Sequence, residues 1–186
     1  MSFAFHAIPS FPGLLRVDST VRRDDRGWFM ETWKTDAFEA AGVRGPFVQD
    51  NTAYNAAAGT LRGLHYQVPP HAQAKLVRCV RGRVLDVVVD LRRGSPGFGR
   101  WHGETLAGEG AMLWVPTGFA HGYCTLEADS EVAYKIAGAP YTPTAERAIR
   151  WDDPTLAIRW PTRAPMLGGK DAQAPPFDPA TLPAEW

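Results

Sequence analysis

The chain has no excess charge of either sign: its 186 residues carry 20 Lys and Arg against 20 Asp and Glu. A formal net charge of zero leaves no bulk electrostatic footprint for nucleic acid or for an anionic membrane surface. A local cationic pocket for a small anion stays open. Cysteine is scarce. Cys79 and Cys124 are the only two, and both lie in apolar, strand-like runs where buried free thiols are common. So few cysteines favour a reducing cytoplasm over a disulfide-stapled secreted fold. No apolar run is long enough to span a bilayer. The opening residues Met1-Ser2-Phe3-Ala4-Phe5-His6 lack the basic and apolar regions of a signal peptide. Long helical patterns are missing too, and the 16 Pro and 18 Gly indicate many turns instead.

What remains is a chain of short strands. The length suits one domain, residues 1–186, with a sizeable core. Residues Val84 to Leu91 are rich in β-branched side chains and too short for a buried helix. By the two-residue repeat, Leu85, Val87, Val89 and Leu91 share one face, and Asp86 and Asp90 the other. Leu76 to Val80, Ala111 to Val115, Gly122 to Leu126 and Glu131 to Ile136 read the same way, separated by Gly and Pro clusters such as Arg93-Gly94-Ser95-Pro96-Gly97. Short strands at regular spacing predict an all-β sandwich or barrel. One helix is expected at Ala37 to Ala41, with an Asp36–Glu39 capping box and Gly42 as its stop. From Pro161 onward the Pro-rich chain is expected to wrap the barrel as an extended tail.

Two stretches sharpen the fold. Gly59 is followed by five residues and then His65; Gly110 is followed by five residues and then the turn Pro116-x-Gly118-x-x-His121. Both resemble the paired motifs of a cupin, a double-stranded β-helix or jelly-roll barrel. A metal-binding cupin would carry a second His two residues after the first. Gln67 stands there, and no acid follows before Lys75. A divalent ion needs three or four N, O or S ligands on one point, and a lysine ammonium has no lone pair to give. The expected fold is therefore cupin-type, with no metal.

Several residues point to chemistry, each with an ordinary alternative. A lone His65 beside Tyr66 is more often structural. With Arg62 three residues before it and Lys75 ten after, it fits a cationic pocket for phosphates or a developing oxyanion. A solvated basic face fits the spacing equally well. Lys75 shares parity with Val77 and Cys79, so it is expected to point inward, where a lysine needs a reason. Strict alternation puts Arg62 and His65 on opposite faces unless the strand bulges at Gly63. Tyr134 shares parity with Val132 and Ile136 and is expected to face the interior, as core or as a proton donor. Asp171, in the turn-like Gly168-Gly169-Lys170-Asp171, is either loop surface or a carboxylate returned to His65 to set its tautomer. Arg26 suits a phosphate, or a hairpin turn at Asp25-Arg26-Gly27; Glu31, Gln49 and Asn51 suit a base edge. Trp151-Asp152-Asp153-Pro154 reads as a structural turn.

Taken in order, these stretches resemble the dTDP-4-dehydrorhamnose 3,5-epimerase family. The resemblance rests on Asp25-Arg26-Gly27-x-Phe29-x-Glu31, Phe47-Val48-Gln49-Asp50-Asn51, Leu61-Arg62-Gly63-Leu64-His65-Tyr66-Gln67, Lys75-Leu76-Val77-Arg78, Gly94-Ser95-Pro96-x-Phe98-Gly99-x-Trp101, Leu113-Trp114-Val115-Pro116-x-Gly118-Phe119-Ala120-His121-Gly122, Tyr134-Lys135 and Lys170-Asp171. It implies a cofactor-free epimerase of a nucleotide-linked 4-keto-6-deoxy sugar. His65 would be the base, supported by Asp171, and Tyr134 the acid on the opposite face. Lys75 would stabilise the enolate. Arg26, Phe29, Glu31, Gln49, Asp50, Asn51, Arg62, His121, Tyr141, Glu146 and Lys170 would bind substrate, with Tyr141 stacking on the base. The chain departs from the family pattern at Thr52, where His is usual, at Ala139-Pro140, where a second aromatic often stands, and by one extra residue between Tyr134 and Glu146. Competing expectations are inversion at one carbon, another nucleotide, a metal cupin, and a non-catalytic sugar-binding cupin. The apolar segment from Phe3 to Pro12 has no obvious hairpin partner, and an unpaired strand is a liability. It is expected to join the sheet of a second subunit in a homodimer, as in related epimerases.

Overall fold

Alternating apolar and polar residues make strands the main regular structure of the chain, and the computed structural model describes residues 2–186. In chain order come β1 (Phe3–Ala7), β2 (Leu15–Ser19), β3 (Arg22–Asp24), β4 (Gly27–Phe29), helix α1 (Thr35–Ala40), β5 (Phe47–Asn55), β6 (Thr60–Gln67) and β7 (Gln73–Arg81). Then follow β8 (Arg83–Asp90), β9 (Trp101–Ala107), β10 (Ala111–Val115), β11 (Phe119–Thr125), β12 (Ser130–Gly138), β13 (Glu146–Ala148), β14 (Met166–Leu167) and the short helix α2 (Gly169–Ala172).

The first sheet has the order β1-β2-β10-β7-β12-β5; the second has β13-β6-β11-β8-β9, with β14 parallel to β6. From β6 to β13 the chain passes repeatedly between the two sheets, so most neighbours in a sheet, β8 and β9 excepted, are distant in sequence. This is the cupin-type jelly roll. Between the sheets, Val77, Leu113 and Val132 pack against Val84, Val88 and Tyr123. The outer face of the second sheet carries Val87, Val89 and Leu91 under Ile149, Leu156, Phe177 and Leu182. The tail from Pro161 is thus bound to the barrel, as expected. The outer face of the first sheet buries Leu76, Met112 and Trp114 with Phe38 of α1. Phe38 is fully buried, a contribution of about 1.5–3 kcal/mol that fastens the helix to the sheet.

Strand β8 is buried on both faces. Its aliphatic side meets the tail, and the side bearing Asp86 looks into the barrel. Both cysteines are buried and free. Three expectations need correction. The capping box on α1 does not form: the N-cap is Lys34 without a side-chain bond, so the helix starts two residues too early for Asp36 to cap it. Asp36 instead accepts from the Ala37 N–H at 2.9 Å, in the first turn where a negative charge suits the helix dipole. Gly42 does follow the helix, with φ of 84°. The N-terminal segment has a partner in its own chain, since β1 pairs antiparallel with β2 from Phe3–Ser19 to Ala7–Leu15. The stretch around Lys170 and Asp171 is helical, as α2. No helix among the described residues is long and apolar enough to cross a membrane.

Candidate active site

One cavity opens between the sheets. Its outer part, about 350 Å³, is lined by Gln49 and Asn51 of β5, His65 and Gln67 of β6, Gln73 and Lys75 of β7, Tyr134 of β12, and Tyr141 and Glu146 beyond it. Its inner part, about 200 Å³, is lined by Arg62, His65, Lys75, His121, Tyr123, Tyr134 and Asp171. His65, Lys75 and Tyr134 line both parts.

The bulge that would let Arg62 and His65 share a pocket is present. In the β6–β11 ladder His65 faces His121 and Arg62 faces Tyr123, so Gly63 and Leu64 together oppose Gly122 alone. Gly63 has φ of 125°. A Cβ there would lie 2.5 Å from the Gly122 Cα, so both glycines are needed for the strands to close. The bulge also frees the Gly63 N–H from the ladder, and it donates to Asp171 Oδ2 at 3.3 Å. The other carboxylate oxygen, Oδ1, is 2.6 Å from His65 Nε2. Asp171 is thus brought back across the chain and buried, at 6 % exposure. A carboxylate on Nε2 holds the N–H there and leaves the lone pair on Nδ1.

A second His–Asp pair lies beside the first. His121 Nε2 is 2.9 Å from Asp86 Oδ2. Burial pushes the His121 pKa below its ordinary value; Asp86 opposes this, while Lys75 and His65 reinforce it. Lys75 faces the cavity from β7, as its parity predicts. Burial lowers its pKa to about 8, against the pull of Asp86 and Glu146. Tyr134 stands on the opposite sheet from His65. Burial raises the pKa of its phenol, against the charge of Arg62. Arg62 itself is held by Asn55, whose Oδ1 accepts from its Nε at 2.9 Å.

At the mouth, Glu146 accepts from Tyr141 Oη at 2.7 Å and pairs closely with Lys170. Burial opposes ionisation of Glu146, but the bonds from Lys170 and Tyr141 outweigh it and hold its pKa below the ordinary value.

A family model for dTDP-4-dehydrorhamnose 3,5-epimerase matches residues 9–179. The chain belongs to that family. The dTDP-4-dehydrorhamnose 3,5-epimerase of Pseudomonas aeruginosa is 47 % identical over 171 residues, 90 % of this chain and 93 % of that one. Among solved structures, the 3,5-epimerase of Legionella pneumophila in complex with dTDP-4-keto-L-rhamnose superposes with a TM-score of 0.90 at 38 % identity, covering 99 % and 98 % of the two chains. A 3′-monoepimerase of Streptomyces bikiniensis in complex with dTDP-quinovose gives 0.86 at 35 % identity, covering 95 % and 88 %.

Within this member of the epimerase family, not every expected site residue reaches the cavity. Asp50 faces outward and pairs with Lys135 at 2.8 Å, because alternation along β5 sends Gln49 and Asn51 inward and Asp50 out. Arg26 and Phe29 lie on the β3–β4 hairpin, and Glu31 just after it, all outside the cavity lining. Arg26 binds Asp24 and is exposed, as is Phe29 at 63 %. Asp86, Asn55, Gln73 and Tyr123 were not singled out from the sequence. Parity with Val84 and Val88 was the available signal for Asp86; the other three carry none beyond lying in strands. Among the described residues, no group of three or more His, Cys, Asp or Glu side chains is arranged to hold a metal ion.

Proposed function

We propose that the chain is a cofactor-independent isomerase that inverts carbons 3 and 5 of dTDP-4-dehydro-6-deoxy-D-glucose, giving dTDP-4-dehydro-L-rhamnose. Protons on both carbons are acidified by the 4-keto group. At each centre a base takes the proton from one face, the electron pair moves onto the keto oxygen as an enolate, and an acid returns a proton to the other face. The observation that carries this reading is the placement of His65 with Asp171 on one wall and Tyr134 on the opposite wall of one cavity, with Lys75 reaching both parts of it.

His65 acts as base through Nδ1, and Asp171 stabilises the imidazolium that forms. Tyr134 donates the proton; its raised pKa keeps the phenol protonated. The charged Lys75 offsets the negative charge on the enolate oxygen, with Arg62 and His121 deeper in the cavity. Tyr141 stacks on the base, and Lys170 and Glu146 hold the nucleotide end. Nothing in this scheme requires a metal: His65, Tyr134 and Lys75 supply the base, the acid and the positive charge.

The enzyme works in the cytoplasm as a homodimer. The outer edge of β1 carries no strand partner among the described residues. The β3–β4 hairpin exposes Trp28 and Phe29. Residues Arg26, Phe29 and Glu31, unused by the chain's own cavity, would then serve the site of the second copy. A monomer by light scattering at micromolar concentration would refute the dimer.

The decisive test is incubation with the dTDP-linked 4-keto-6-deoxyglucose in heavy water. Deuterium is expected at both carbons of the product. Exchange at one carbon alone would replace the double inversion by a single one, as in the monoepimerase relative; exchange at neither would overturn the reading.

A further inference from the structure

The loop from Ala139 to Ala145 joins β12 to β13 and carries Tyr141 at the cavity mouth. Its backbone has left the ladder, so its N–H and C=O groups need other partners. Three glutamines supply them, two from β5 and β7 of the first sheet and one from β6 of the second. Gln73 Nε2 of β7 donates to the Ala139 carbonyl at 3.0 Å. Gln67 Nε2 of β6 donates to the Pro140 carbonyl at 3.3 Å and to the His71 carbonyl at 2.7 Å. Gln67 Oε1 accepts from the Thr142 N–H at 2.7 Å. Gln49 Oε1 of β5 accepts from the Tyr141 N–H at 3.0 Å.

Four consecutive residues are therefore held, and Tyr141 is gripped at its own N–H and on both sides. The amide orientations follow from chemistry: only an NH₂ can face two carbonyls, and only an oxygen can face an N–H. Gln67 is buried at 4 % exposure and its bonds go to backbone, so it has little left to offer a ligand. The Tyr141 ring has no such packing: it is 51 % exposed, and its position depends on its backbone and on the bond to Glu146.

We infer that Gln67, with Gln49 and Gln73, forms an amide clasp that positions Tyr141 for the nucleotide base, so that these glutamines set nucleotide affinity without touching the reacting carbons. The inference rests on the stacking role proposed for Tyr141. It also gives Gln67 a purpose at the place where a metal cupin would carry its second histidine: the side chain is a peptide mimic there, and it ties a recognition loop to the barrel. Gln67 and Gln73 are positioning residues rather than catalytic ones.

The test is a thermodynamic cycle read by calorimetric titration with dTDP, using the unaltered protein, Tyr141→Ala, Gln67→Met, Gln73→Met, and each glutamine variant combined with Tyr141→Ala. Methionine keeps the length and removes the hydrogen bonds. Loss of the stacking ring is expected to weaken dTDP binding about tenfold or more. Gln67→Met is expected to weaken it about five- to tenfold, as several hydrogen bonds to one loop are lost. In the Tyr141→Ala background the same change should alter affinity less than about twofold, because coupled residues do not add. In turnover, Gln67→Met should raise KM for the nucleotide sugar several-fold more than it lowers kcat, a split that mere loss of folded protein would not produce.

Additive effects in the cycle would overturn the clasp while leaving Tyr141 as the stacking residue. Unchanged dTDP affinity in Gln67→Met would overturn it as well. Unchanged affinity in Tyr141→Ala would overturn the stacking role and the clasp together. Should Gln67→Met fail to fold, Gln73→Met, which removes one bond at the rim, carries the same cycle with a smaller expected effect.

Discussion

Two His–Asp pairs sit side by side on neighbouring strands, His65–Asp171 and His121–Asp86, with the two histidines directly opposed in register. In both, the carboxylate meets Nε2. They differ in access and in where the carboxylate comes from. His65 keeps 28 % of its side chain exposed to the cavity, and its aspartate arrives from a helix 106 residues further along the chain. The His121 side chain is 7 % exposed and Asp86 fully buried, supplied by the adjacent strand β8. One Asp86 oxygen, Oδ1, has no hydrogen-bond partner among the described residues. The same two side chains thus reach the open, outer part of the cavity in one pair and only its buried inner end in the other. Residue type sets what a dyad can do; solvent and substrate access decide whether it does it.

Breaking the first pair should give the largest effect. His65→Ala is expected to lower kcat by about 10³- to 10⁴-fold, the upper range for a general base, and to abolish deuterium incorporation at both carbons. Full exchange in that variant would move the base elsewhere. The second pair should show the reverse sensitivity. His121→Ala removes the hydrogen-bond partner of the buried Asp86 carboxylate and is expected to cost about 1–3 kcal/mol of stability in chemical denaturation. His65→Ala should cost far less, since Asp171 retains the Gly63 N–H. Equal losses of stability would erase the distinction between the pairs.

Tyr134→Phe, on the wall facing His65, should reduce product formation about 10²-fold yet preserve some exchange, because proton removal does not need the phenol. The smallest expected effect is a pH shift. The depressed pKa of Lys75, about 8, means its positive charge is present below that pH and lost above it, so kcat/KM of the free enzyme should fall as pH rises past about 8. After burial, Asp86 has the largest influence on the Lys75 pKa, which it raises. Asp86→Asn should therefore move the alkaline fall to lower pH, and Asp171→Asn should leave it in place. A fall that ignored both substitutions would assign it to another group.

Much of the barrel was legible from alternation. Ala111–Val115 is a strand with the bounds expected, and Lys75 and Tyr134 take the faces that parity assigns them. The bulge at Gly63 was legible as a steric requirement, because two residues three apart cannot otherwise share a face. Asp50 lies outside the chain's own cavity lining, as the parity of β5 indicates. The capping box on α1 failed because a cap depends on where the helix starts, and the helix starts at Thr35. Asp86 escaped notice because parity says which residues share a face, not which face is inside. With apolar cover on both sides of β8, the aspartate side was as good an interior as the leucine side.

By itself, the sequence determined the strand pattern, the glycine that permits the bulge and the chemical kind of each cavity residue, because these follow from side-chain geometry and local backbone preference; the family followed from the resemblance of its motifs. Only the tertiary structure decided that Asp171 meets His65 and Asp86 meets His121, that three glutamines converge on one loop, and that Arg26, Phe29 and Glu31 stand apart from the chain's own cavity. Those outcomes depend on contacts between residues up to 108 positions apart. Such contacts are set by the packing of two sheets and a tail around one core, and no local pattern encodes them.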